Sequence, residues 1–419
     1  MNGVAGRHVL LGVSGGIACY KACIVARRLT EDGAQVDVVM TASAGEFIRP
    51  VTFEALTGRP VVTSLWERGH ALDHVRLGRE CDLIIVAPAT ARLIARMAQG
   101  LADDFLTALL LARKAPVLLC PAMNDQMYRH PATQQNLKTL AGGGRQAAVG
   151  GRRQASGGGQ TSDLTILGPV TGPLARGEGE GPGRMVEPEE ICAWAERLLR
   201  TADPFAGRHV VVTAGPTREA MDPVRVITNR SSGRMGFALA RAAWARGAEV
   251  TLISGPTALP VPPGIAHQRI ETTEDLTDAV TKALPSADAL IMAAAPSDYH
   301  PGKPAAHKTR REAGPLTLKL EPTPDVLAST VRSRKHGAVI VGFALETRDV
   351  VAAAQQKLKS KKLDLVIANS ATEKGSGPES LTNRITIVSK DGMEALPQMK
   401  KEDAAEAILD RVGALLAAR

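Results

Sequence analysis

Two segments of the chain begin in the same way, and this repeat limits the possible folds more than any other feature. Residues 8–16 and residues 209–215 each combine a short apolar strand with a glycine-containing turn that leads into a helical segment. Further short apolar strands follow each opening and alternate with stretches of helical spacing. Such alternation is typical of parallel sheets covered by helices on both faces. We therefore predict an α/β protein with two doubly wound, Rossmann-like parallel-sheet domains.

The length of the chain agrees with two domains. It has 419 residues, and a single hydrophobic core stops growing at about 250–300 residues. Aromatic residues make up only 3% of the chain, so the cores must consist of the aliphatic residues that suit buried parallel strands. Residues 141–183 are rich in Gly, Arg, Gln and Ser, which predicts an extended loop. We place the first domain at 1–190, a linker at 191–206 and the second domain at 207–419.

The net charge of +8 points to anionic partners. Because the basic residues are dispersed and few aromatic residues could stack on bases, we favour small phosphorylated substrates over nucleic acid. No stretch of about 18 apolar residues is present, so we expect no membrane association. The five cysteines are scattered without metal-binding spacing, which favours a reducing compartment. We therefore expect a soluble cytoplasmic protein.

Three strand ends of the first domain carry small or hydroxyl residues. Residues 12–18 are rich in glycine at the start of a helix, where backbone N–H groups can approach a phosphate. Residues 41–44 and 87–90 end two further strands with Thr or Ser. The carboxyl ends of parallel strands meet at one edge of a sheet, so together these ends suggest a mononucleotide such as FMN. For each turn taken alone, a tight connection without a ligand is the alternative.

Two side chains near these strand ends are candidates for catalysis. His74 precedes a buried strand, where it could be a general base or a satisfied polar residue. Asn124 follows another strand, where it could bind a ligand or simply cap a helix. The residues alone leave both alternatives open.

Residues 6–190 resemble the flavin-dependent phosphopantothenoylcysteine decarboxylases. The resemblance rests on the segments SGGIA, DHVRLG, APAT, AQGLADD, PAMNDQMY and GPGRM. It implies a flavodoxin-like domain in which the flavin oxidises a cysteinyl thiol, CO2 is lost, and the reduced flavin returns a hydride. It also implies that His74 is catalytic and that Asn124 holds the substrate carboxylate. By the same resemblance, FMN would be bound by Ser14, Gly15, Ser43 and Thr90.

One position departs from that family. Its flexible clamp carries a cysteine, which donates the proton in the final reduction, in a Leu-Ala-Cys-Gly context. Here the matching position is Arg176. A guanidinium does not release a proton near neutral pH, so we expect FMN binding with impaired reduction.

In the second domain, residues 228–236 predict an anion site. Residues 231–233 can expose N–H groups at the start of a helix, and Arg230 and Arg234 add positive charge. A plain helix cap is the alternative. The first turn of this domain lacks the full G-x-G-x-x-G fingerprint, which argues against NAD.

Several charged residues follow later strands of the second domain. Asp298 comes directly after a buried strand, and Lys308 lies in a polar loop ten residues further on. Lys357 and Lys361 are four residues apart on a predicted helix, so both can face one ligand. A solvated surface is the usual reading of such charges, but their combination favours a triphosphate site.

The second domain resembles the phosphopantothenate-cysteine ligases over residues 207–412. The matching segments are AGPTRE, DPVRVITNRSSGRMG, TPDVL, VGFALET, KLKSKKLDLVIAN and NRI. The resemblance implies that Asn229 holds an acyl-cytidylate for attack by cysteine and that Lys308 contacts the triphosphate. Mg2+ is expected through the CTP phosphates, without assigned protein ligands. The CTP site would be lined by Met292, Ala293, Ala294, Asp298, Pro324, Asp325, Val326, Leu327, Phe343, Lys357 and Lys361.

The fused order resembles the bacterial bifunctional family of coenzyme A biosynthesis. It implies CTP-dependent joining of 4'-phosphopantothenate with cysteine, followed by decarboxylation to 4'-phosphopantetheine, in a homo-oligomer. One alternative is an active ligase attached to a flavin-binding partner domain that does not complete decarboxylation. A lesser alternative is a nicotinamide-dependent dehydrogenase.

Overall fold

A computed structural model describes most of the chain, and the chain divides into two compact units. The first unit is Met1–Thr201 and the second is Ala202–Arg419. The described residues are 3–66, 72–142, 145–147, 164–175, 177–200, 203–310, 316–373 and 375–419.

In its described residues, the first unit contains one large sheet and one hairpin. Its strands are β1 (His8–Val13), β2 (Gln35–Met40), β3 (Val61–Val62), β4 (Leu83–Ala89), β5 (Val117–Pro121), β6 (Arg145–Ala147), β7 (Leu164–Leu167), β8 (Val170–Pro173) and β9 (Glu180–Arg184). Its helices are α1 (Cys19–Glu31), α2 (Pro50–Thr57), α3 (Asp73–Glu80), α4 (Ala91–Gln99), α5 (Phe105–Ala112), α6 (Asp125–Arg129), α7 (Pro131–Ala141) and α8 (Pro188–Leu199).

Seven parallel strands form the large sheet, in the order β3-β2-β1-β4-β5-β7-β6. Side chains of a strand alternate between the two faces of a sheet. Val9 and Leu11 accordingly pack with α1, α2 and α8 on one face. Leu10 packs with α3, α4, α5 and α7 on the other. The predicted doubly wound parallel sheet is confirmed here, and β8 and β9 form a separate antiparallel hairpin.

Helix α8 occupies most of the segment predicted as a linker. Ile191, Ala195 and Leu199 are buried in the core of the first unit together with β1 and α1. The predicted linker, 191–206, therefore includes a helix of the first unit. The chain passes to the second unit between Thr201 and Ala202.

The second unit is built on the same plan. Its strands are β10 (His209–Ala214), β11 (Arg218–Ala220), β12 (Val226–Thr228), β13 (Glu249–Ser254), β14 (Ala266–Arg269), β15 (Ala289–Met292), β16 (Tyr299–Pro301), β17 (Leu320–Pro322), β18 (Val339–Glu346), β19 (Leu365–Ser370), β20 (Thr382–Asn383), β21 (Thr386–Ser389), β22 (Met393–Ala395) and β23 (Met399–Lys400). Its helices are α9 (Arg234–Ala245), α10 (Thr273–Ala283), α11 (Val326–Ser329), α12 (Val350–Ser360) and α13 (Lys401–Ala417).

Eight strands form its main sheet, in the order β14-β13-β10-β15-β18-β19-β21-β22. The six strands from β14 to β19 are parallel, as predicted. The last two strands at one edge are antiparallel. Three short antiparallel ribbons, β11–β12, β16–β17 and β20–β23, lie outside the main sheet.

A partly buried polar cluster around Asp37 joins the first two strands of the first unit to the segment after α2. The Asp37 carboxylate lies 2.6 Å from His8 Nε2 and 2.5 Å from Arg59 Nε. Burial alone would raise the pKa of Asp37, but the hydrogen bonds from His8 and Arg59 outweigh it and lower the pKa from 3.8 to about 2.

We predict that Asp37→Asn lowers the free energy of unfolding by about 2 kcal/mol near neutral pH. A carboxyl whose pKa is depressed on folding contributes stability above its unfolded pKa and loses it as the pH falls through the folded value. The difference between variant and wild type should therefore shrink as the pH falls from about 4 towards about 2. Denaturant melts over this range measure it, with the exposed Glu54→Gln as control. A difference independent of pH would contradict the assignment.

Candidate functional sites

The first unit has a cavity of about 770 Å3 at the carboxyl ends of its central strands. Its volume lies in the range of about 300–1,000 Å3 typical of cofactor sites. Five predicted residues line this one cavity: Ser14, Gly15, Ser43, Thr90 and Asn124. The parallel strands β1, β2, β4 and β5 bring them together from distant parts of the sequence.

The glycine turn after β1 can present several backbone donors to this cavity. The N–H groups of Gly15 to Ala18 have no hydrogen-bond acceptor within the described residues, and α1 begins directly afterwards at Cys19. Such an arrangement suits the phosphate of a nucleotide. The turn also lies close to Ser43, since a Cβ atom on Gly15 would come within 2.5 Å of the Ser43 backbone.

Ser14 joins two of the cavity's turns. Its buried hydroxyl donates to the Pro88 carbonyl at 2.7 Å and accepts from the Thr90 N–H at 3.0 Å. Thr90 in turn caps α4, because its Oγ1 accepts from the Leu93 N–H at 3.4 Å. Both hydroxyls therefore already hold the backbone in place, so their predicted contacts with FMN come in addition to a structural role.

The β8–β9 hairpin forms another wall of the cavity and is held tightly beside Asn124. The Met123 N–H donates to the Gly183 carbonyl at 2.9 Å. Gly183 has φ of 138°, and a Cβ atom there would lie 2.2 Å from the Met123 carbonyl oxygen. The buried Lys21 Nζ donates to the Met185 carbonyl at 2.9 Å and pairs with Glu187 at 3.0 Å.

The sequence predictions did not single out Lys21 or Gly183 as contributors to this site. Gly183 could have been found within the GPGRM segment, whereas Lys21 resembles an ordinary helix lysine. Arg176, the predicted clamp position, lies outside the described residues. Its flanking residue Ala175 lines the cavity.

His74 does not line this cavity. It contacts a separate surface cavity of about 550 Å3, together with Leu65, Trp66 and Leu111. The His74 Nδ1 atom is buried and has no hydrogen-bond partner among the residues that the structure describes. Its ring packs edge-on against Phe105, with ring centroids 6.2 Å apart. Trp66 is 89% exposed, so an apolar surface surrounds the histidine.

In the second unit, Asn229 and Asp298 are on adjacent turns. The Asn229 amide donates to the Pro296 carbonyl at 2.8 Å, two residues before Asp298. The Asp298 carbonyl accepts from the Thr323 N–H at 3.0 Å, and Thr323 Oγ1 donates to the Ser297 carbonyl at 2.6 Å. The side chains of both Asn229 and Asp298 remain exposed and available to a ligand.

Lys308 lies in the connection between β16 and β17, and its side chain is exposed. The next residue is held by a buried carboxylate, because the Thr309 N–H donates to Asp222 Oδ2 at 3.2 Å. Asp222 Oδ1 also accepts from the N–H groups of Val224 and Arg225, each at 2.8 Å. These hydrogen bonds, the one from Val224 foremost, lower the pKa of Asp222. Asp222 is not among the site residues predicted from the sequence.

Lys357 and Lys361 lie at the end of α12, but they have different surroundings. Lys357 Nζ donates to the Phe343 carbonyl at 2.7 Å. Burial lowers the pKa of Lys357, while Asp325 and Glu346 partly oppose this shift. Lys361 forms an ion pair with Asp325. Burial raises the pKa of Asp325, but Lys361 reverses the effect and the pKa is lowered overall.

Three of the residues predicted to line the CTP site belong to the hydrophobic core. Met292, Val326 and Leu327 are each less than 10% exposed and pack together with α10 and α12. Ala293 and Ala294 are partly exposed, and Pro324 is exposed. The side chains of Met292, Val326 and Leu327 are therefore largely inaccessible to a ligand.

Comparison with known proteins gives full-length relatives. The coenzyme A biosynthesis bifunctional protein CoaBC of Vibrio vulnificus is 43% identical over 420 residues, covering 99% of this chain and 100% of that protein. The proteins of the same name from Mycobacterium tuberculosis and Bacillus subtilis are 45% and 42% identical, each match covering 98% of this chain and 97% of the relative. This chain belongs to the CoaBC family. The family resemblance seen in the sequence is thereby confirmed.

Each unit of this CoaBC family member matches one family. The Flavoprotein family matches residues 3–199, and the DNA/pantothenate metabolism flavoprotein C-terminal domain matches residues 205–416. The first unit is thus a flavoprotein domain. Within the described residues, no helix has the length and apolarity needed to cross a membrane. The same residues contain no cluster of three His, Cys, Asp or Glu side chains suited to a metal ion.

We predict that Gly15→Ala weakens flavin binding by about tenfold, because the added methyl group overlaps the Ser43 backbone and separates two turns of the cavity. Flavin absorbance per chain after gel filtration measures the effect. Gly45→Ala is the control, since a Cβ atom at Gly45 meets nothing within 4 Å. Equal flavin content in the two variants would show that the close approach at Gly15 does not support binding.

Proposed function

We propose that this protein catalyses two steps of coenzyme A biosynthesis. Its second unit joins 4'-phosphopantothenate to cysteine with CTP, and its first unit decarboxylates the product to 4'-phosphopantetheine. The observation that carries the proposal is the match of both units, over 98–99% of the chain, to bifunctional CoaBC proteins. A nicotinamide-dependent dehydrogenase is not supported by these relatives.

The ligation requires activation of a carboxylate, because a carboxylate does not react with an amine at a useful rate. The carboxylate of 4'-phosphopantothenate attacks the α-phosphorus of CTP, and pyrophosphate leaves. The amine of cysteine then attacks the acyl carbon and displaces CMP. Lys308, Lys357 and Lys361 would offset the charge that develops on the CTP phosphates, to which Mg2+ would add its own positive charge.

The geometry around Asn229 supports its proposed role in the second of these steps. Its amide nitrogen is occupied by the Pro296 carbonyl at 2.8 Å, which fixes the orientation of the side chain. Because the hydrogen bond to Pro296 fixes the amide plane, it also fixes the direction in which the Asn229 Oδ1 atom points. Asp298, two residues beyond Pro296, is proposed to contact the nucleotide from the same turn.

For the first unit we propose FMN as the flavin. When bound, it would supply the oxidation of the cysteinyl thiol and the final return of a hydride. The N–H groups of Gly15 to Ala18 would hold its phosphate, and Asn124 would hold the substrate carboxylate. The β8–β9 hairpin closes one wall of the cavity against water, because Gly183 and Lys21 fix it in place.

Arg176 bears on whether the decarboxylation runs to completion. Arginine cannot donate the proton of the final reduction, so another group must supply it if 4'-phosphopantetheine forms. The full-length match supports a complete reaction rather than a purely flavin-binding role for this unit.

Two assays on one preparation test the proposed function. We expect pyrophosphate release that needs 4'-phosphopantothenate and is faster with CTP than with ATP, GTP or UTP. We also expect one 4'-phosphopantetheine for each CO2 released from 4'-phosphopantothenoylcysteine. CO2 release without 4'-phosphopantetheine would show that Arg176 stalls the reduction. Absence of pyrophosphate release would refute the proposed ligation, and absence of CO2 release would refute the proposed decarboxylation.

We further propose that the protein acts in the cytoplasm on small-molecule substrates. Cys19, Cys23, Cys81 and Cys120 carry free thiols. Burial, the largest influence on each of them, raises their pKa values, which keeps them protonated and unreactive. Such thiols suit a reducing compartment.

The position of His74 supports a homo-oligomer. This histidine lies on an exposed apolar surface with Trp66 and Leu111, apart from the cavity that contains Asn124. Leu111 is 64% exposed, and exposed apolar patches commonly mark contacts between proteins. We propose that a second copy of the chain covers this surface, so that His74 of one copy serves the cavity of another.

Mixing two inactive variants tests this arrangement. We expect His74→Ala and Asn124→Ala each to lose decarboxylase activity, and their co-expression to restore part of it. Restoration is expected because some assemblies would combine an intact His74 from one copy with an intact Asn124 from another. Each variant expressed alone is the control. Co-expressed variants that stay inactive while forming mixed assemblies would contradict a shared site.

A further inference from the structure

Two segments far apart in sequence form one side of the proposed nucleotide site. One is the turn at residues 324–327, which includes the N-cap and the first two residues of α11, and the other is the end of α12. Asp325 and Lys361 form an ion pair between them. Both side chains are partly exposed, and ion pairs of this kind contribute little stability. Core packing of Val326 and Leu327 with α12 brings the two segments together, and a further polar contact joins their backbones.

The Arg334 side chain connects the same two segments through their backbones. Its Nη2 atom donates to the Leu327 carbonyl at 2.8 Å and to the Lys361 carbonyl at 3.2 Å. Its Nη1 atom donates to the Lys362 carbonyl at 2.9 Å. One guanidinium thus contacts the backbone of both segments at the same time.

The end of α12 explains why an arginine is suited to this place. The Lys362 N–H donates to the Lys359 carbonyl and the Leu363 N–H to the Leu358 carbonyl, which is the pattern of a Schellman cap with Lys362 in the left-handed conformation at φ of 51°. The cap satisfies the carbonyls of Leu358 and Lys359, but not those of Lys361 and Lys362, which follow them in the chain. Arg334 supplies their donors, and its positive charge is favourable at a helix C-terminus.

No salt bridge accounts for the position of Arg334 within the described residues. Its hydrogen bonds there all go to backbone carbonyls, and its Nε atom is buried without a partner. Burial lowers the pKa of Arg334, although Asp364 opposes the shift. The side chain thus bears a desolvation cost in order to hold three carbonyl groups.

We propose that Arg334 is a positioning residue for the ligation. It fixes the spacing between the turn at 324–327 and the end of α12, so that Asp325, Lys357 and Lys361 can act on one nucleoside triphosphate. The inference rests on the proposed function of the second unit. A lysine cannot substitute fully, because a single ammonium lacks the planar fork that reaches carbonyls in two directions.

The test measures CTP binding and steady-state ligation in the full-length protein. We expect Arg334→Met to weaken equilibrium CTP binding and to raise the KM for CTP on the order of tenfold. The KM for cysteine should stay within about twofold of wild type, because the two segments are assigned to the nucleotide and Asn229 to the attack by cysteine. We expect Arg334→Lys to recover part of the CTP affinity.

Arg332→Met is the matched control, because Arg332 is an exposed arginine two residues away with no hydrogen bond to the described residues. It should bind CTP as wild type does. Unchanged CTP affinity in Arg334→Met would overturn the inference. A parallel loss in all kinetic constants with a lower melting temperature would also overturn it, since that indicates only a structural role. Wild-type protein that binds no CTP would refute the proposed function itself, before any variant is compared.

Discussion

The common direction of the central strands is the constraint on which both sites depend. In the first unit, β1 pairs in parallel with β2 and β4, so Val13 lies beside Met40 and Gly12 beside Val86. The turns that follow these strands must then emerge side by side at one edge of the sheet. The cavity is a consequence of this register, since its walls are the turns themselves.

The second unit carries several of its candidate residues outside the main sheet. Its parallel strands β10, β15 and β18 bring the turns after them together. Asn229 and Lys308, however, lie on connecting segments outside the main sheet. The short antiparallel ribbons β11–β12 and β16–β17 support these connecting segments. Hydrogen bonds from Asn229 and to Asp222 hold the segments in place. The ligase-like half therefore depends on local polar contacts as well as on strand register.

Much of this organisation could be predicted from the sequence. Apolar strands with glycine-containing turns identified the two parallel sheets, and the polar residues after them identified the candidate sites. The separation of His74 from the flavin cavity could not be predicted, because it depends on where α3 and α5 pack on the sheet. The roles of Arg334 and Asp222 could not be predicted either, because each side chain binds backbone groups of segments that are distant in sequence. Met292, Val326 and Leu327 were placed at the CTP site by family resemblance, and that resemblance does not reveal that their side chains lie in the core.

Asp222 has a consequence for how the protein could be inhibited. Its buried carboxylate holds the turn that leads to Asn229 and also the backbone beside Lys308. Lys308, assigned to activation of the acid, and Asn229, assigned to formation of the amide, thus both lie on segments held by Asp222. A compound that displaced Thr309 from Asp222 would disturb the backbone beside Lys308 without occupying the proposed nucleotide pocket, so its effect would not depend on competition with CTP.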